Sequence, residues 1–281
     1  MYNLLQNVVY YSMGFLIVLI LLTIVASCET LRYYIKFCSF GAASAIPTSI
    51  QWPFMFLRIK DWRNALLSAR CLRTCVKLLG VSFHVRGKEN IVKDTGSIVL
   101  MNHQSILDLT VLAELWPVLE RCTVISKKEI FYLGLFGLAS WLWGTIFIDR
   151  KNSKEAQKGI NSTAERIKSI KANVLIFPEG HRHSNSTLLP FKKGAFHLAI
   201  ESQIPIQPVV ISKYYFLNSK LKIFNSGTSY ITILPPISTK GLTKEDLPKL
   251  IEDTYKIMNN SFMETSQETI NEHINTLKDE K

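Results

Sequence analysis

The spacing of apolar positions changes character along the chain. Residues 8–27 form an apolar run without a charge, and no charged side chain precedes Glu29. Coiled as a helix, such a run measures roughly 30 Å, the thickness of a bilayer's hydrocarbon core. It reads as a membrane anchor and not as a cleaved leader, because no basic stretch precedes it and it exceeds the ~7–15 apolar residues of a leader. A second apolar stretch, 37–57, is interrupted by Pro47 and Pro53 and by Ser39, Ser44, Thr48, Ser49 and Gln51. Its length allows a span, while its prolines favour a broken, re-entrant helix. Both readings stand. A third stretch, 130–148, lacks charge but carries Gly134, Gly137 and Gly144 and ends in Thr145-Ile146-Phe147-Ile148. It is expected to form a buried helix followed by a core strand.

From residue 81 onward, short β-branched runs alternate with helical patterns. Strands are expected at 81–85, 97–101, 122–126, 145–148, 174–177, 208–212 and 230–234, and helices at 106–115, 128–142, 153–171 and 192–201. This alternation predicts an α/β fold: a largely parallel mixed sheet flanked by helices, preceded by N-terminal membrane helices. The expected organisation is a membrane anchor over 1–60, the α/β domain over 61–240 and a charged, helix-forming tail over 241–281. No internal repeat or low-complexity segment interrupts it.

Composition adds two constraints. With 47% hydrophobic residues and a net charge of +11 over 281 residues, the chain is not an acidic disordered one. The excess charge follows the first two apolar stretches, since residues 58–93 hold nine basic and two acidic side chains. Within 64–79, Arg70, Arg73 and Lys77 share one helical face, and Leu67, Cys71, Cys75 and Leu78 another. That pattern suits a helix lying on anionic lipid or a solvated helix on a globular domain. Nucleic acid is a poor partner, because no recognition motif accompanies the charge. The five cysteines at 28, 38, 71, 75 and 122 form no CxxC pair and leave one over, which argues for a reducing compartment. Sequons at Asn161, Asn185 and Asn259 stay unmodified if the domain faces the cytosol.

Candidate chemistry gathers where strands end. The strand at 97–101 runs into Asn102-His103-Gln104-Ser105-Ile106-Leu107-Asp108. A histidine at the carboxyl end of a strand, opening a helix, lies where α/β folds place their ligands. Asp108, in the first turns of that helix, can fold back to fix the imidazole tautomer and stabilise its cation. A helix cap by Asn102 or Ser105 beside a buried, satisfied histidine is the plain alternative. There is no G-x-S-x-G elbow and no cysteine close to a second histidine in sequence, so such a base would act on a substrate hydroxyl. Phe177-Pro178-Glu179-Gly180-His181-Arg182 follows the next such strand, with Pro and Gly imposing a tight turn and Arg182 suited to bidentate phosphate binding. Arg150 follows the strand at 145–148, and Lys192 and Lys193 add charge nearby. His181 and His183 form an H-x-H pair, yet no nearby Cys or His completes a metal set.

The blocks N-H-Q-S-I-L-D at 102–108, G-T-I-F-I-D-R at 144–150, F-P-E-G-H-R at 177–182 and I-P-I-Q-P at 204–208 resemble the four ordered motifs of the glycerolipid acyltransferases. Ser126-Lys127-Lys128-Glu129 and L-P-F-K-K-G-A-F at 189–196 are most similar to the 1-acylglycerol-3-phosphate acyltransferases of the animal endoplasmic reticulum. The likeness spans residues 80–215, about half the chain. It implies acyl transfer from acyl-CoA to the sn-2 hydroxyl of lysophosphatidic acid at an endoplasmic-reticulum membrane, with the domain facing the cytosol, no cofactor and acyl-CoA as co-substrate. By the same likeness His103 is the base and Asp108 its orienting partner. Gly144, Arg150, Glu179, Gly180 and Arg182 hold the glycerol phosphate, and Ile204, Pro205 and Pro208 shape the acyl or CoA side. One departure is His181, where the family usually has Thr or Ser; it bears on substrate choice. If 130–148 crossed the bilayer, His103 and Arg182 would lie roughly 30 Å apart on opposite sides, so that stretch is expected to be globular or interfacial.

Overall fold

The structure, a computed structural model, describes residues 2–148, 164 and 167–279. Seven strands form one sheet in the order β1-β9-β6-β2-β5-β3-β4. They are β1 (Val81–Arg86), β2 (Ser97–Met101), β3 (Cys122–Lys127), β4 (Ile146–Ile148), β5 (Asn173–Ile176), β6 (Ile206–Ile211) and β9 (Gly227–Ile233). Every pairing is parallel except β6 with β9, so the expected mixed, largely parallel sheet is present. Helices cover both faces, α2 (Glu29–Met55), α3 (Leu66–Leu78) and α4 (Asp108–Leu119) on one and α6 (Gly194–Ser202) and α7 (Leu247–Asp279) on the other, while α1 (Tyr2–Ser27) and α5 (Gly134–Leu142) pack against α2.

β2 shows why a continuous apolar run folds this way. All five of its residues are buried, as a central parallel strand covered on both faces requires. Val99 and Met101 join the core beneath α3 and α4, while Ile98 and Leu100 join the opposite core with Phe196 of α6 and Met258 and Phe262 of α7. The charged tail is therefore a long helix whose apolar side closes one face of the sheet.

Four expectations change. The strand at 146–148 is an edge strand paired only with β3, and its three residues are half-buried, so it is not a core strand. α3 buries Ser68, Ala69, Leu72 and Val76 and leaves Leu67 and Leu78 exposed at 54% and 82%. Small residues let it approach α2, where Ser68 meets Thr48 and Gln51. Residues 37–57 do not form a broken helix: α2 continues through Pro47 and Pro53, with Ser44, Thr48 and Gln51 donating to the carbonyls of Phe40, Ser44 and Pro47. A small hairpin of β7 (Leu217–Asn218) and β8 (Ile223–Phe224) was not expected from the sequence. Among the described residues no helix is long and apolar enough to cross a membrane. The run at 8–27 lies within α1, with only part of its side chains described, and most of the helix expected at 153–171 lies outside the described residues.

The sheet order sets the position of the site. β2 and β5 are parallel neighbours, with Leu100 opposite Ile176, so the loops leaving their carboxyl ends emerge side by side. β6 flanks β2 on its other side. Asn102, fully buried, locks the start of the first loop by donating to the Ile211 carbonyl at 2.9 Å and accepting from the Ile211 N–H at 2.8 Å. Asn102→Ala leaves both groups buried and unpaired, a loss of about 2–4 kcal/mol in unfolding free energy. Denaturant titration of the purified protein checks this, and unchanged stability would contradict it.

Candidate active site

The loop after β2 brings His103 to Asp108 across five residues. Asp108 Oδ2 lies 2.6 Å from His103 Nδ1. The same oxygen accepts the backbone N–H of Gln104 at 2.8 Å and of Ser105 at 3.1 Å. Its other oxygen, Oδ1, accepts the Tyr214 hydroxyl at 2.8 Å. A carboxylate with four donors around it can only accept from the imidazole, so Nδ1 carries the proton and Nε2 keeps its lone pair. The ring of Phe177 stacks on the imidazole at 3.9 Å between centroids and fixes its plane. Gln104 in turn anchors the loop to the end of β6, donating to the carbonyls of Ile211 and Ser212. The His103 side chain is 16% exposed and Asp108 is buried, an arrangement that leaves one edge of the ring open.

The loop after β5 holds the same histidine from behind. Glu179 Oε1 accepts the His103 backbone N–H at 2.7 Å, and the His103 carbonyl accepts the His183 N–H at 3.1 Å. Glu179 Oε2 accepts the Leu189 N–H at 2.8 Å and the ring of His183. Because Asn185 donates its N–H to His183 Nδ1, the proton on that ring sits at Nε2 and points to Glu179. Both backbone groups of His103 are thus tied to this second loop. Glu179 is buried with its oxygens engaged by these groups, so it positions the loop and does not line the cavity beside His103, contrary to the phosphate-holding place expected of it.

A cavity of about 690 Å³ opens beside the imidazole. His103, Lys127, Gly180, His181 and Arg182 border it, and its remaining wall is mostly apolar, with Leu72, Leu112 and Trp116 supplied by α3 and α4. His103, Asp108, Gly180 and Arg182 therefore come together as expected. Gly144 does not join them: it lines a smaller cavity with Lys60 and Arg121, and its carbonyl accepts the Thr123 hydroxyl at 2.7 Å. Pro205 lies at the opposite end of the strands, where its carbonyl accepts the N–H of Ile98 at the start of β2. The block that contains it reads the same whichever strand end faces the site. Arg150 lies outside the described residues. The two histidines of the H-x-H pair point to different surroundings, His181 to the cavity and His183 to Glu179.

The family described as Acyltransferase matches residues 82–212, which contain both loops. The human 1-acyl-sn-glycerol-3-phosphate acyltransferase alpha is 36% identical over 236 residues, 84% of this chain and 83% of that one. The chain belongs to the 1-acyl-sn-glycerol-3-phosphate acyltransferase family. A Saccharomyces cerevisiae 1-acyl-sn-glycerol-3-phosphate acyltransferase of that family is 43% identical over 190 residues, 66% of this chain and 62% of that one. The crystal structure of the 1-acyl-sn-glycerophosphate acyltransferase PlsC from Thermotoga maritima superposes with a TM-score of 0.60 at 20% identity, covering 83% of this chain and 98% of that one. It shares the fold. The protein is an acyltransferase, and its chemistry has to come from the groups around the cavity.

Tyr214 went unnoticed in the sequence, and Phe177, Gln104 and His183 stood in their motifs without the positioning roles they have here. Tyr214 stands three residues beyond β6, and the rule that ligands gather at strand ends would have found it there. Burial, and then the adjacent Asp108 carboxylate, push its phenol well above the usual value of 10. It therefore stays protonated and donating to Asp108 at any pH below 10. Tyr214→Phe removes one donor from the carboxylate, with an expected fall in acyltransferase kcat of about 3–10-fold. Because the folded-state shift is upward, wild type and variant share one alkaline limb up to pH 10. A limb near 10 seen in wild type alone would contradict the assignment.

Proposed function

We propose that this acyltransferase moves an acyl group from acyl-CoA to the sn-2 hydroxyl of 1-acylglycerol 3-phosphate, releasing CoA and phosphatidic acid. The observation that carries this reading is one imidazole, braced by Asp108, bordering the same cavity as Arg182. His103 Nε2 takes the hydroxyl proton as the oxygen attacks the thioester carbonyl, and Asp108 stabilises the imidazolium that forms. When the tetrahedral adduct collapses, the C–S bond breaks and the imidazolium returns its proton to the departing sulfur. No covalent acyl-enzyme is needed, because a thioester is already activated. A positioned base contributes about 10²–10⁴ in rate, and holding the two substrates together supplies much of the rest. Arg182, with Arg150, binds the acceptor phosphate, and no resident cofactor takes part.

The apolar wall of the cavity suits an acyl chain, each buried methylene contributing about 0.8 kcal/mol. Both substrates are amphipathic and anionic, which suits a basic protein seated on a membrane. Residues 8–27, uncharged throughout, are assigned as the anchor, in the endoplasmic-reticulum membrane with the α/β domain toward the cytosol. The five cysteines are all free, which accords with that side.

Membranes carrying wild-type protein should convert acyl-CoA and lysophosphatidic acid to phosphatidic acid and CoA. His103→Ala, inserted at the same level, should lose activity by at least about 10²-fold, and Asp108→Asn nearly as much. Equal rates in wild type and His103→Ala would reject the mechanism, and preferential use of another lysophospholipid would reject the acceptor.

A further inference from the structure

Gly180 is the one residue of the second loop with a left-handed backbone, φ +77°, and it borders the cavity. Glycine at such a position usually needs only its backbone freedom. Here the space beside it is also taken. A Cβ placed on residue 180 would lie 2.5 Å from Lys192 Nζ, 2.6 Å from Cε and 2.8 Å from Cδ. The end of the lysine side chain therefore crosses the face of Gly180. Its backbone is held there by a 2.8 Å hydrogen bond from the Lys192 N–H to the Pro178 carbonyl.

Charge sharpens the point. Glu179 is the acid adjacent in sequence, and it is withdrawn into the interior with its oxygens engaged by His103, Leu189 and His183. Among the described residues, neither Lys192 nor Arg182 has a carboxylate within ion-pairing distance. Two cations with no such counter-charge among the described residues thus flank Gly180, one on the cavity border and one laid across the glycine. Such a pair favours a dianion, Arg182 as a planar fork and Lys192 as a compact point charge.

We infer that Lys192 is a further ligand of the acceptor's phosphomonoester, carried to it across Gly180, and that residue 180 is glycine in part to leave room for that side chain. This rests on the function proposed above and adds a specificity residue to its site. Adding a side chain at residue 180 and removing the charge of Lys192 should then have one phenotype.

The test is initial-rate kinetics of the full-length protein in membranes, with KM measured separately for lysophosphatidic acid and for acyl-CoA. Lys192→Met should raise KM for lysophosphatidic acid about 10-fold, while KM for acyl-CoA stays within about twofold. Lys192→Arg, which keeps the charge, should recover most of the loss. Gly180→Ala should raise the same KM, and combining it with Lys192→Met should add little. If Gly180→Ala does not fold, the Met and Arg variants decide alone. Lys220→Met, in the exposed β7–β8 turn, controls for general surface charge and should change neither constant. An unchanged KM for lysophosphatidic acid in Lys192→Met overturns the inference. So does a rise confined to acyl-CoA, which would give the lysine to the CoA phosphates, or an equal rise in Lys220→Met. A wild-type protein inactive toward lysophosphatidic acid would fail the proposed function first, and this inference with it.

Discussion

A hydrogen bond of 2.6 Å between His103 and Asp108 determines which imidazole nitrogen carries the proton, and much of the surrounding polar structure serves to hold that carboxylate. Two loop N–H groups and a buried phenol converge on it. Each donor lowers the freedom of the carboxyl to turn away, and together they leave Nε2 as the nitrogen free to accept. A histidine alone on the same strand would sample both tautomers and several ring orientations. The bracing converts a common side chain into a directed base.

That bracing is possible because β2 lies between β5 and β6. Neighbouring parallel strands deliver their carboxyl ends to one edge of the sheet, so residues far apart in sequence meet there. Glu179 reaches His103 across 76 residues and Tyr214 reaches Asp108 across 106. The inward turn of Glu179 has an electrostatic consequence as well. It satisfies buried N–H groups and at the same time removes a negative charge from the cavity border, where Arg182 and Lys127 are then available to anions, with Lys192 lying across Gly180.

Much of the sheet was legible in the sequence, and for identifiable reasons. β2 was readable residue for residue because a strand buried on both faces is apolar throughout, and His103 with Asp108 because both follow it within a single loop. The hairpin of β7 and β8 left no periodic signal in strands of two residues. The buried side of α3 was not legible because its packing depends on small residues against α2, and Ser68 and Ala69 look unremarkable beside leucines. Glu179 could not be placed, since a carboxylate that ties backbone groups in the interior and one that faces a ligand share one sequence signature. Gly180 pointed to a tight turn, but only the structure identifies the Lys192 side chain as what lies against it. Pro205 was grouped with the site by block order, which carries no information on the end of a strand.

Whether the imidazole of His103 acts as a base can be measured without relying on loss of activity alone. A His103→Gly enzyme supplied with imidazole and its ring-substituted analogues should regain acyl transfer in proportion to their concentration, with rates rising as the added base becomes more basic. Rates indifferent to the basicity of the added imidazole, or a His103→Gly enzyme as active as wild type without any addition, would contradict the account.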